Sequence, residues 1–98
     1  MSSHFALETA TFRAEITDDM LTARHEAMRA IARELEGFVS SRLIRKDDGT
    51  LADEVVWSSR ESALNAAANA LHIPEAVTYF SHLSEIISME HAEILTDD

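Results

Sequence analysis

The chain has no cysteine, one proline and only two glycines among 98 residues, and each shortage closes off some chemistry. Without cysteine there is no disulfide, no thiolate nucleophile and no iron–sulfur or zinc–thiolate centre, which suits a reducing cytoplasm. Two glycines cannot build a glycine-rich phosphate loop or a dinucleotide fingerprint, and no Ser-His-Asp arrangement is suggested, so neither nucleotide-dependent nor nucleophilic chemistry is expected. Bases are scarce as well: 8 against 18 acids leave a net charge of −10. Such a chain repels phosphate backbones, and no lysine or arginine stripe offsets the repulsion, so nucleic acid is not an expected partner. Apolar residues make up 46% of the chain, yet no run approaches the roughly 18 residues of a membrane span, and no basic start leads into an apolar signal segment. The expectation is a soluble cytoplasmic protein without a membrane partner, a single domain over 1–98 that is marginal in the surface it can bury alone.

Punctuation along the chain gives the order of elements. Phe5 to Ile16 reads as a strand, and Thr17 before Asp18 and Asp19 reads as a helix start, a capping hydroxyl followed by two carboxylates at the positive end. That helix should run to about Leu35, with Gly37 as its stop. Phe38 to Arg45 and Leu51 to Trp57 are strands joined by Lys46-Asp47-Asp48-Gly49, a hairpin turn with glycine where a positive φ is needed. Ser58 and Glu61 have capping-box spacing before an alanine-rich helix from Ala63 to Leu71. Pro74 breaks or kinks this helix and starts a second piece from Glu75 to Leu83. Ile86 to Leu95 is the last strand, and Thr96-Asp97-Asp98 an acidic tail. The reading is an α+β, ferredoxin-like βαββαβ fold, a four-stranded antiparallel sheet with both helices on one face.

Alternate residues place Leu51, Val55 and Trp57 opposite Ala52 and Val56 on the third strand. On the fourth, Ile87, Met89 and Leu95 stand opposite Ile86, Ala92 and Ile94. Both faces then carry apolar groups, which implies that the helix-free face is covered by a second copy, a homodimer closing into a barrel.

Thr11-Phe12-Arg13, Glu36-Gly37-Phe38, Asp48-Gly49, Val56-Trp57-Ser58-Ser59 before the alanine-rich helix, and Ser88-Met89-Glu90-His91-Ala92-Glu93 follow one another in a pattern spanning nearly the whole chain. This ordered set resembles the antibiotic-biosynthesis-monooxygenase-like branch of the dimeric α/β-barrel superfamily. The resemblance implies a ferredoxin-like dimer. It also implies one of several activities, among them cofactor-independent oxygenation of polycyclic aromatics and haem degradation. The haem-degrading branch uses an asparagine, a tryptophan and a histidine where this chain has Thr9, Ala66 and a residue near Tyr79, so that activity is not expected. Trp57 ends a strand and resembles a structural tryptophan instead.

A helical projection at about 100° per residue puts Arg24 amid Met20, Leu21, Ala27, Met28, Ile31, Ala32 and Leu35, aimed at the sheet. A lone charge there costs several kcal/mol, so it needs a partner, for which Glu90, Glu8 and Glu54 are candidates, or a wet cavity. It is either a structural ion pair, or an arginine snorkelling out at the helix end, or a clamp for a substrate oxygen. The five histidines show no close pair at ligand spacing, so no metal and no cofactor is expected. His91 lies within a strand and is the candidate catalytic acid–base; its alternative is a hydrogen-bonded filler. Tyr79 and His82 could share a helix face toward a pocket, or lie half-exposed. Two functions follow. One is a cofactor-independent monooxygenase-like enzyme on a small aromatic or polyketide-like molecule, with His91 catalytic and Arg24, Trp57, Tyr79 and His82 lining the site. The other is a non-enzymatic dimeric barrel that binds a small ligand or a partner.

Overall fold

The computed structural model describes residues 4–97, so the last residue of the acidic tail lies outside it. Thr17 caps the first helix as its hydroxyl promises, accepting from the Met20 amide at 3.1 Å, and α1 runs Asp18–Glu34 behind strand β1, Ala6–Ala14. Strand β2, Phe38–Arg45, and strand β3, Leu51–Trp57, have the ends expected from their flanking glycines. In the hairpin between them, Asp48 Oδ1 accepts from the Thr50 hydroxyl and amide at 2.6 and 2.9 Å. Those bonds favour the ionised form and hold the Asp48 carboxyl below its ordinary value.

Helix α2, Arg60–Asn69, is capped by Ser59, which accepts from the Ser62 amide. The expected Ser58–Glu61 box is therefore displaced by one residue. Gly37 lies against this cap: its φ is +94°, and a Cβ there would strike Ser62 and Ser58. A 3₁₀ turn over Ala70–His72 precedes α3, Pro74–Phe80, with Pro74 in its first turn, where the missing amide hydrogen costs nothing. Strand β4, Leu83–Glu93, begins and ends earlier than the expected Ile86 to Leu95.

The antiparallel sheet has the order β2-β3-β1-β4. Phe12 pairs with Leu51, Ala10 with Asp53, Glu8 with Val55 and Ala6 with Trp57, and these side chains form the helix-covered face. The register between β1 and β4 slips after Thr11, which faces Ser88 while Phe12 faces Ile86. The bulge absorbs Ile87, so Ile86 and Met89, expected on opposite faces, both lie toward the helices. The helix-free face is consequently more mixed than simple alternation implies. Leu7, Ile44, Val56, Ala92 and Ile94 share it with Thr9, Arg42, Glu54, Ser88 and Glu90. Lys46 reaches across it, its Nζ donating to Thr11 at 3.1 Å.

Two apolar clusters fill the space between helices and sheet. One gathers Ala30, Ile31, Val55, Trp57, Ala63, Ile73 and Ala76; the other joins Phe12, Met20, Ala27, Leu51 and Tyr79.

Candidate functional site

A cavity of about 260 Å³ lies between the helices and the sheet, bounded by side chains from both clusters. Its origin is in the sequence. Ala10 on the sheet and Ala66, Ala67 and Ala70 above it all line the space, and short side chains on both layers cannot fill a gap that larger residues hold open. The cavity opens toward solvent beside Leu71 and β4. Leu71, Ile86 and Met89 line the cavity there yet are 69%, 63% and 52% exposed, a large apolar cost unless something covers them.

Three polar side chains interrupt this lining. Asp53 occupies an inward position of β3 between Leu51 and Val55 and is buried. Arg24 Nε donates to its Oδ1 at 2.7 Å and the Tyr79 hydroxyl to its Oδ2 at 2.6 Å, while Arg24 Nη2 reaches Ser41 Oγ at 3.3 Å. Arg24 is thus aimed at the sheet as its helical position requires, but its partner is Asp53 and not Glu90, Glu8 or Glu54. Glu54 and Glu90 lie on the other face by strand alternation, and Glu8 is already engaged. Burial, then the Asp53 charge, then the hydrogen bond to it push the Tyr79 hydroxyl far above its ordinary value of 10.0, so Tyr79 remains a donor.

Glu8 is the second polar group. His91 Nε2 lies 3.0 Å from its Oε2, and both side chains are largely buried. Glu8 lines the cavity, whereas His91 lines an outer depression with His4, Phe5, Arg60 and Glu93. The pair therefore links the apolar interior to the outside, an arrangement in which a proton taken from the cavity side has a route to water.

The third is Trp57, which is 2% exposed and lines the cavity. Phe38 packs on it edge-to-face at 5.7 Å. Its Nε1 is buried and finds no acceptor among the described residues, a deficit worth about 1–3 kcal/mol.

The expected site residues thus separate. Trp57 lines the cavity, His91 approaches it through Glu8, and Arg24 and Tyr79 support it through Asp53. His82 does not join them: α3 ends at Phe80, so the three-residue spacing from Tyr79 falls on a turn. His82 instead faces a separate depression with Asp19, Glu26 and Glu75. Thr9 lies on the helix-free face and Ala66 in the cavity, so those positions do not converge either. Asp53 was missed, although a single acid at an inward position of an otherwise apolar strand is a readable signal. Among the described residues no group of three acids or histidines is placed to hold a metal ion, and no helix is long and apolar enough to cross a membrane.

No family model matches the sequence, and no curated protein matches it significantly. Solved structures do. SnoaB, a cofactor-independent oxygenase from Streptomyces nogalater, is 17% identical over 98% of this chain and 96% of its own, with a TM-score of 0.62. An antibiotic biosynthesis monooxygenase-like protein from Bordetella bronchiseptica is 13% identical over 96% of this chain and 100% of its own, at 0.73. A hydroxynitrile lyase from Passiflora edulis is 14% identical over 99% of both chains, at 0.68. The chain therefore has the ferredoxin-like fold of antibiotic biosynthesis monooxygenase-type proteins, a fold that carries lyase chemistry as well as oxygenation.

Proposed function

We propose that this protein binds a small hydroxylated aromatic molecule in the cavity between helices and sheet and oxygenates it without a bound cofactor. The observation that carries the reading is the Glu8–His91 pair set against an otherwise apolar cavity. A cavity of about 150 Å³ lined by apolar groups accepts benzene, so the space here admits a bicyclic ring, and a longer molecule extends over Leu71, Ile86 and Met89. A base in apolar surroundings can take the proton of a phenol or of a ring CH₂ made acidic by a neighbouring carbonyl. The resulting electron-rich ring reduces dioxygen. One oxygen atom enters the ring as a carbonyl in place of the CH₂ hydrogens, the other leaves as water, and the substrate supplies the electrons. Glu8 and His91 hold and pass on the proton; Arg24 and Tyr79 fix Asp53 beside them in the sheet wall.

Oxygen uptake with hydroxylated aromatics, without added metal or flavin, tests this. Wild-type protein should consume oxygen, and His91→Ala and Glu8→Gln should lose about a hundredfold in rate. Saturable binding with no uptake in any variant would overturn the enzyme and leave the ligand-binding barrel.

The working form in this reading is a homodimer, joined through the helix-free face around Leu7, Ile44, Val56 and Ile94. Sedimentation at micromolar concentration should give twice the chain mass, and a stable monomer would refute it.

A further inference from the structure

Resting on that cavity reading, we infer that Met89 is an oxidation site at the opening of the cavity, and that its conversion to the sulfoxide by a peroxide weakens ligand binding. The chain has no cysteine and four methionines, so thioethers are its only sulfur, and their reactivity follows exposure. Met20 is fully buried with Phe12, Leu51 and Tyr79. Met28 is partly buried where it packs against both apolar clusters, and Met1 lies outside the described residues. Met89 alone among the described methionines is exposed, and it also lines the cavity. The reason is its place in the fold: β4 is an edge of the sheet, so no further strand flanks Met89 on its outer side.

The step is a two-electron transfer. A sulfur lone pair attacks one peroxide oxygen, the S–O bond forms as the O–O bond breaks, and with hydrogen peroxide the second oxygen leaves as water. The thioether is oxidised and the peroxide reduced. The product sets a strong acceptor dipole beside Leu71 and Ile86, apolar side chains that line the same opening and offer it no donor. A molecule that covers this rim must then strip water from the sulfoxide without replacing its hydrogen bond, which costs affinity. The same contact runs the other way, because a ligand lying over the rim screens the sulfur from peroxide.

The test treats the whole chain with a small molar excess of hydrogen peroxide, removes the peroxide, and weighs the tryptic peptides. Residues 14–24, 25–29 and 61–98 each carry one methionine, so every described thioether is read separately. Met89 should gain one oxygen before Met28 and Met20, and naphthol present during the treatment should slow that gain. Calorimetric titration of the oxidised protein with naphthol should give an affinity about tenfold weaker than that of untreated protein. Met89→Leu keeps the rim apolar and removes the sulfur, so its naphthol affinity should come through the same treatment unchanged. Oxidation of Met28 or Met20 ahead of Met89, an affinity that survives conversion of Met89, or an equal loss in Met89→Leu would overturn the inference while sparing the cavity reading. Failure of untreated protein to bind naphthol would remove both.

Discussion

The cavity lining holds two carboxylates, Asp53 and Glu8, each set against a nitrogen group, yet their surroundings differ in kind. Around Asp53 both oxygens are taken, one by Arg24 from α1 and one by Tyr79 from α3. Glu8 has His91, whose imidazole carries two ring nitrogens able to donate or accept, and the pair touches both the cavity and an outer depression. A permanently charged guanidinium and a hydroxyl that does not ionise make a wall. An imidazole makes a site where protons can come and go.

Substitutions at the two groups should therefore separate stability from activity. The largest stability effect is expected from Asp53→Ala, which strands the Arg24 charge in the interior; denaturant unfolding should show a loss of about 3–5 kcal/mol. Tyr79→Phe removes one hydrogen bond to a charged group and should cost about 2 kcal/mol. It should also change the alkaline limb of stability. Below pH 10 the tyrosine is protonated in both folded and unfolded chains, and its contribution is whole. Above that, the unfolded chain releases the proton while the folded one, its pKa raised, does not, so stability falls as pH rises. Tyr79→Phe should flatten that fall, measurable by unfolding at stepped alkaline pH. The smallest stability effect is expected at His91: His91→Gln keeps an N–H donor for the largely buried Glu8 and should cost about 1 kcal/mol. If His91→Gln unfolded the protein as readily as Asp53→Ala, the distinction between wall and site would be lost.

How much of this was legible in the sequence follows the range of each interaction. Strands β2 and β3 and their turn are set by local chemistry, with glycines at positive φ at Gly37 and Gly49, and their bounds are the expected ones. The burial of Arg24 follows from helical periodicity alone. Its partner depends on which strand residues face inward beside it; Asp53 does so, and Glu54 and Glu90 do not. The bulge at Ile87 could not be seen by counting alternate residues, because it arises from pairing with β1, and it reverses the face of one side chain. The cavity is also non-local. Ala10 and the alanines of α2 read separately as strand and helix formers, and only their juxtaposition across two layers leaves space.

The central claim, a ligand site between helices and sheet, is met most directly by titrating the protein with naphthol and following the fluorescence of Trp57 in its wall. Saturable quenching at one site per chain is expected, and it should vanish in Ala70→Leu, whose longer side chain fills the space. Quenching that never saturates, or that Ala70→Leu leaves intact, would contradict the claim.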